Sequence, residues 1–212
     1  MSSSLPENID SLETSLYQQF GNLDIYIFDQ LLKGQIQKEH RILDAGCGRG
    51  RNHYYFAKEG YDLYAFDRNE EVLNEAIDQA KRLGYNALGN FAKADMVNMP
   101  YKDKHFDWVI NIAVLHFAEN REHFEQMLSE LWRVCRNGGK IIIRLASNVG
   151  IEHLMKPLGS QRFLLPDGSE RFVVSESDLV NYTRKMGATL FEPIKTTNVQ
   201  NLRCMTTWCL QK

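Results

Sequence analysis

The sequence predicts an α/β fold built on a doubly wound, mostly parallel sheet of seven strands, the last of them antiparallel. From residue 41 onward, short apolar segments with β character alternate with segments whose apolar residues recur at helical spacing. Such alternation is typical of a parallel sheet with helices on both faces. The length of 212 residues suits one domain with a modest extension.

The extension lies before the sheet. Residues 8–33 carry apolar side chains at helical spacing, interrupted at Gly21-Asn22, so we expect two amphipathic helices here. We interpret residues 1–40 as a helical lid that belongs to the same domain as residues 41–212.

The first part of the sheet alternates regularly with helices. Strands are predicted over residues 41–44, 63–66, 89–94 and 106–112, and helices over residues 52–59, 70–83 and 121–136. The helix after the second strand has an acidic first turn and a basic last turn, which the helix dipole favours. Gly84 follows it, and glycine is the preferred residue directly after a helix.

A β-hairpin is predicted as an insertion over about residues 160–174. Its turn, Pro166-Asp167-Gly168, lies between two apolar triplets. Proline, aspartate and glycine all favour turns, so the segment predicts two strands joined by a turn. Before it comes a fifth strand over residues 140–145, which follows a predicted turn at Asn137-Gly138-Gly139.

After the hairpin we expect a helix that begins at Ser175 or Ser177. Two strands, over residues 189–194 and 204–210, then pair antiparallel at the sheet edge. The polar segment between them, residues 196–203, either recognises a polar substrate or is an ordinary connection.

Bulk composition limits the possible partners. Lys and Arg number 25 against 27 Asp and Glu, a net charge of -2, so a nucleic-acid partner is not expected. The four cysteines contain no C-x-x-C pair, and no metal site is predicted.

The N-terminus lacks a leader pattern, and no apolar stretch has the length of a membrane span. We therefore expect a cytoplasmic protein that does not bind membranes; the sequence does not indicate its oligomeric state.

A glycine-rich loop, Asp44-Ala45-Gly46-Cys47-Gly48-Arg49-Gly50, follows the first strand. Glycines let the backbone approach a ligand where a Cβ would collide, and the next helix begins behind them. The dinucleotide fingerprint G-x-G-x-x-G would need a glycine at position 51, which is Arg51. The loop therefore departs from the pattern of hydride-transfer enzymes.

Together with Asp67 after the second strand and Asp95-Met96 after the third, residues 42–50 resemble the class I S-adenosylmethionine-dependent methyltransferases. The resemblance covers about residues 41–146 and implies their Rossmann-like fold. Beyond these motifs, the pattern is similar to uncharacterised bacterial small-molecule enzymes, loosely akin to the tellurite-resistance methyltransferases.

The resemblance implies S-adenosylmethionine as the cofactor. Asp44 and the backbone at Gly46 and Gly48 would bind its methionine portion, Asp67 its ribose hydroxyls, and Asp95-Met96 its adenine. The expected cofactor-binding residues are Asp44, Gly46, Cys47, Gly48, Asn52, Asp67, Arg68, Asp95, Met96, Asn111 and Ala113. Each aspartate, taken alone, also fits a turn former or a helix cap.

Two polar residues in apolar surroundings are candidates for catalysis. His116 lies between Leu115 and Phe117 and is either a general base facing the acceptor or a packed, hydrogen-bonded histidine. Arg144 lies in an apolar strand, where a charge needs an anionic partner. That partner is either a substrate carboxylate or phosphate, or a protein aspartate.

The sequence thus predicts methyl transfer to an unidentified small-molecule acceptor. The alternative from another class is a regulatory protein that binds S-adenosylmethionine without consuming it. A dinucleotide-dependent oxidoreductase is disfavoured by Arg51. A nucleic-acid methyltransferase is disfavoured because Asn111-Ile112-Ala113-Val114 stands where an Asn/Asp-Pro-Pro-Tyr signature would be expected.

Overall fold

The computed structural model of the chain describes residues 16–212. Its strands are β1 (Arg41–Ala45), β2 (Asp62–Asp67), β3 (Phe91–Lys93), β4 (Phe106–Ile112), β5 (Cys135–Ser147), β6 (Lys156–Gly159), β7 (Arg162–Leu164), β8 (Glu170–Phe172), β9 (Thr189–Leu190), β10 (Lys195–Val199) and β11 (Arg203–Gln211). Its helices are α1 (Ile25–Leu32), α2 (Tyr54–Lys58), α3 (Glu70–Arg82), α4 (Arg121–Val134) and α5 (Glu176–Lys185), with a 3₁₀ turn at Leu115–Phe117.

The central sheet has the order β10-β11-β5-β4-β1-β2-β3, and the short β9 also pairs with β11. Strands β1 to β5 are parallel where they pair, whereas β11 is antiparallel to both β5 and β10. This confirms the predicted mostly parallel sheet with an antiparallel last strand.

Helices cover both faces of this sheet, and most residues of the central strands β1 and β4 are buried. Successive side chains of a strand point to opposite faces. Leu43 accordingly belongs to the apolar cluster that includes Phe124 of α4. Its neighbour Ile42 belongs to a second cluster, with Ile27 of α1 and Phe56 of α2. The parallel arrangement is stable because neither face of the central strands meets water.

Two predicted boundaries are wrong, both in the later strands. The turn expected at residues 137–139 is an irregularity inside β5, where the Gly138 N–H donates to the carbonyl of Lys212 (2.6 Å). The strand expected over residues 189–194 is limited to the two residues of β9. It could not in any case have reached residue 194 as a regular ladder, because Pro193 has no N–H to donate. Instead the polar residues of β10 form the edge strand, and the hydroxyls of Thr196 and Thr206 meet across it at 2.7 Å.

The predicted hairpin is present as β7 and β8, and β6 adds a third strand that the sequence did not indicate. This small sheet is held at the carboxyl end of β5. The Val174 N–H donates to the carbonyl of Ala146 (3.3 Å), and the Asn148 N–H donates to the carbonyl of Val174 (3.0 Å).

The second predicted N-terminal helix is α1. Of the first, residues 16–20 are helical, and residues 8–15 lie outside the described residues. Asp24 caps α1 by accepting the Tyr26 N–H (3.0 Å), and its fully buried carboxylate receives Nη1 of Arg144 (2.8 Å). Arg144 therefore has a protein aspartate as its partner, the second of the alternatives considered above. No helix in the described part of the chain is long and apolar enough to span a membrane.

Replacing Arg144 with methionine should lower the free energy of unfolding by up to about 3–5 kcal/mol, because the buried Asp24 carboxylate would lose its hydrogen-bonded cation. It would keep only the more distant Arg51, at 3.7 Å. Adding Asp24→Asn removes that stranded charge while its amide oxygen still caps α1, so the double variant should recover part of the loss. Urea denaturation measures both effects. Equal stability of Arg144→Met and the wild type would show that the ion pair contributes nothing.

Candidate functional site

A cavity of about 480 Å³ opens at the carboxyl ends of β1, β2 and β4, the edge at which open α/β sheets bind ligands. Most of the predicted cofactor-binding residues line it. They are Gly46, Cys47, Gly48, Asn52, Asp67, Arg68, Asp95, Met96 and Ala113. The other two, Asp44 and Asn111, are buried behind this lining.

The glycine loop is shaped by positive φ angles at Gly46 (78°) and Gly48 (52°). A Cβ on Gly46 would lie 2.6 Å from Val114, whereas one on Gly48 would meet no protein atom within 4 Å. Gly46 therefore permits close packing, and Gly48 leaves open space beside the loop. The N–H groups of Gly46 and Cys47 both donate to the carbonyl of Phe66 (3.0 and 2.9 Å), so the loop follows the end of β2.

Asp67 ties this loop to the next helix. Its Oδ2 accepts the Gly48 N–H (2.8 Å) and its Oδ1 accepts the Asn69 N–H (2.9 Å). A carboxylate has about four acceptor positions, so each oxygen retains one for a ligand. The N–H groups of Gly46 and Gly48, which the sequence suggested as ligand donors, are engaged within the protein.

Behind the loop lies a buried acidic group. Asp44 is 1% exposed, and its Oδ2 has no hydrogen-bond partner among the described residues. Burial raises the pKa of Asp44 to about 7; nearby Arg51 opposes this rise, and Asp67 adds to it. The neighbouring His53 ring lies 3.6 Å away, but burial lowers its pKa to about 4. His53 is therefore neutral near pH 7 and does not compensate the Asp44 charge.

At the far end of the cavity, Asp95 follows β3. Its Oδ1 accepts the Val97 N–H (3.1 Å). Asn111 supports the adjoining wall: its Nδ2 donates to the carbonyl of Ala45 (3.0 Å) and lies 3.7 Å from the sulfur of Met96. This wall thus combines a free carboxylate edge with an apolar thioether surface.

Ala113, directly after β4, has an unusual backbone conformation. Its φ of 63° lies in the left-handed region, which a non-glycine residue rarely adopts. Its N–H donates to the carbonyl of Arg144 (2.7 Å), so pairing with β5 stabilises this conformation. Strain of this kind costs about 1–3 kcal/mol and is concentrated at functional sites.

A second cavity of about 340 Å³ adjoins the first, and Ala113 and Phe117 line both. The two residues predicted to be catalytic, His116 and Arg144, line this second cavity. The Nδ1 of His116 accepts the Ala146 N–H (3.3 Å), and burial, together with the charge of Arg171, lowers the pKa of His116 to about 3. The ring is therefore neutral with its proton on Nε2, and it offers a donor.

The sequence did not single out every residue at these cavities. His123 and Met127, in the first two turns of α4, also line the first cavity. The chain leaves β4 at the ligand-binding edge of the sheet, so the start of the next helix must lie near the cavity. The position of these two residues at the start of that helix could therefore have indicated them. Among the described residues, no cluster of three or more His, Cys, Asp or Glu side chains could hold a metal ion.

Known proteins share this architecture. The methyltransferase domain family matches residues 43–143. An uncharacterised methyltransferase of Schizosaccharomyces pombe is 32% identical over 114 residues, which are 53% of this chain and 77% of that protein.

Two solved structures are similar in fold. One is magnesium protoporphyrin IX methyltransferase from Synechocystis, with S-adenosylhomocysteine bound, which has a TM-score of 0.69 at 20% sequence identity. The superposition covers 100% of this chain and 90% of that one. TehB from Haemophilus influenzae has a TM-score of 0.65 at 21% identity, over 87% of this chain and 62% of its own. The matches to the methyltransferase domain family and to the Schizosaccharomyces pombe protein show that this chain belongs to the S-adenosylmethionine-dependent methyltransferases.

Proposed function

We propose that this enzyme transfers a methyl group to a small-molecule acceptor bound in the second cavity. The observation that carries the proposal is the shared wall of the two cavities, formed by Ala113 and Phe117. A cofactor in the first cavity and an acceptor in the second would meet at this wall. The second cavity, at about 340 Å³, is in the size range of small-molecule sites.

The residues at the first cavity suit S-adenosylmethionine. The free acceptor positions of Asp67 match two vicinal ribose hydroxyls, and Asp95 next to Met96 matches the amine and the face of an adenine. The open space at Gly48 leaves room for a ligand against the loop. We place the methionine ammonium towards Asp44, with the half-exposed Arg51 guanidinium at the same cavity as a partner for the carboxylate.

When bound, S-adenosylmethionine supplies a methyl group already activated on a sulfonium. An acceptor lone pair would form the new bond to the methyl carbon as the carbon–sulfur bond breaks, with the bonding electrons remaining on sulfur. The protein's task is to align the two molecules, which is worth about 7–11 kcal/mol in favourable cases. His116 contributes a hydrogen-bond donor rather than a base, because its Nδ1 already accepts from the backbone.

Product analysis tests the proposal. The wild-type protein is incubated with S-adenosylmethionine and fractions of a small-molecule cell extract, and S-adenosylhomocysteine is quantified by mass spectrometry. We expect its formation to depend on particular fractions, with a mass gain of one methyl group in a fraction component. Stoichiometric cofactor binding without turnover across all fractions would instead support a regulatory protein.

Gly48→Val and Asp67→Ala should each weaken S-adenosylmethionine binding about 100-fold or more, the first by filling the open space and the second by removing charge-assisted hydrogen bonds. Gly84→Val is the matched control: Gly84 also has a positive φ, 81°, with no atom within 4 Å of a built Cβ. It carries the same backbone strain outside the cavity. Calorimetry that gives wild-type affinity for both site variants would contradict the assignment.

Cofactor affinity should rise between about pH 5 and pH 8, since the methionine ammonium favours ionised Asp44 and the pKa of Asp44 is about 7. Below this pKa, binding should release a proton. Asp44→Asn should flatten the profile and lower the affinity at pH 8, whereas Asp78→Asn, on the exposed face of α3, should change neither. Calorimetry in buffers of different ionisation enthalpy counts the protons; a wild-type profile that stays flat argues against Asp44 as the ammonium partner.

A further inference from the structure

We propose that the methyl acceptor carries an anionic oxyanion group, a carboxylate or a phosphate, which Arg171 and Arg203 bind in the second cavity. This inference rests on the proposed function and adds the chemical class of the acceptor. Arg171 belongs to β8 and Arg203 begins β11, so separate elements of the fold bring the two guanidinium groups to one cavity.

The charges around the second cavity are unequal. Arg144 is balanced by Asp24 at 2.8 Å, and Arg203 by Asp167 at 3.4 Å. Within residues 16–212, Arg171 has no carboxylate within ion-pair distance: its contacts are the carbonyl of Glu170 (2.7 Å) and the ring of Phe117 (4.9 Å). The cavity therefore holds one cation without a counterion.

Half-buried Arg171 still has donors to offer. A guanidinium has five N–H groups in a planar fork that matches carboxylate and phosphate oxygens, and the Glu170 carbonyl takes only one of them. Arg203 is paired at the long distance of 3.4 Å, so an oxyanion can share it with Asp167. His116 adds an Nε2 proton at the same cavity, and the charge of Arg171 contributes to its low pKa.

The remaining walls are apolar. Leu165, Ala146 and Met205 line the second cavity alongside the charged groups, and Leu165 is 3% exposed. An acceptor that fits therefore has a compact, partly apolar body. With its oxyanion at the arginines, the body extends towards Ala113 and Phe117, where the methyl group arrives.

Binding of small probes tests the inference. Benzoate and phenyl phosphate are titrated into protein saturated with S-adenosylhomocysteine, with benzamide as the neutral counterpart, and affinities are measured by calorimetry. We expect the two anions to bind at least about tenfold more tightly than benzamide. Arg171→Gln should weaken anion binding about tenfold or more, and Arg203→Gln by less, because Asp167 already shares its charge. Arg171→Lys should retain part of the affinity.

Arg184→Gln is the matched control, since Arg184 is an exposed arginine of α5 outside both cavities. It should change neither anion nor cofactor affinity, and none of the variants should alter binding of S-adenosylhomocysteine. Equal binding of benzamide and the anions, no anion binding at millimolar concentration, or unchanged binding in Arg171→Gln would each overturn the inference. If the wild-type protein did not bind S-adenosylhomocysteine at all, that result would instead contradict the proposed function. Failure of the inference and failure of the proposed function are therefore distinguishable.

Discussion

The buried carboxylate of Asp24 joins parts of the chain that are far apart in sequence. Its side chain caps α1 and pairs with Arg144 of β5, 120 positions later. Its backbone N–H donates to Asn52 (3.3 Å), and Arg51 lies 3.7 Å from the same carboxylate. An unpaired carboxylate at this depth would be costly, so helix, strand and the two residues that follow the glycine loop are held in one arrangement. Both cavities border residues that this pair positions.

Local patterns account for the parts of the fold that the sequence predicted well. The central strands are rich in apolar residues, as burial on both faces favours, and β4 begins and ends where the sequence indicated. Asn69, Asn120 and Ser175 accept backbone N–H groups at the starts of their helices, so the polar residue before each apolar run marked its start. The glycine loop was recognisable because its residues are adjacent in the chain.

What the sequence could not predict depends on contacts between distant residues. The partner of Arg144 was left open because no local pattern points to Asp24. The second cavity draws residues from position 113 to position 205, and only the folded chain brings them together. Likewise, His116 could be recognised as polar in an apolar segment, but its tautomer follows from a backbone N–H on a neighbouring strand. The polar edge strand β10 escaped prediction since an edge strand with a solvated face tolerates the residues of a loop.

The small sheet of β6, β7 and β8 has a consequence for how such an enzyme changes over time. Its turn and β8 supply Leu165, Asp167, Ser169 and Arg171 to the second cavity and no lining to the first. Grafting a hairpin of different sequence onto the same ends would then exchange one set of second-cavity side chains for another while the glycine loop, Asp67 and Asp95 stay as they are. The lining of the second cavity can therefore diverge while that of the first is retained, because the two changes fall on separate stretches of the chain.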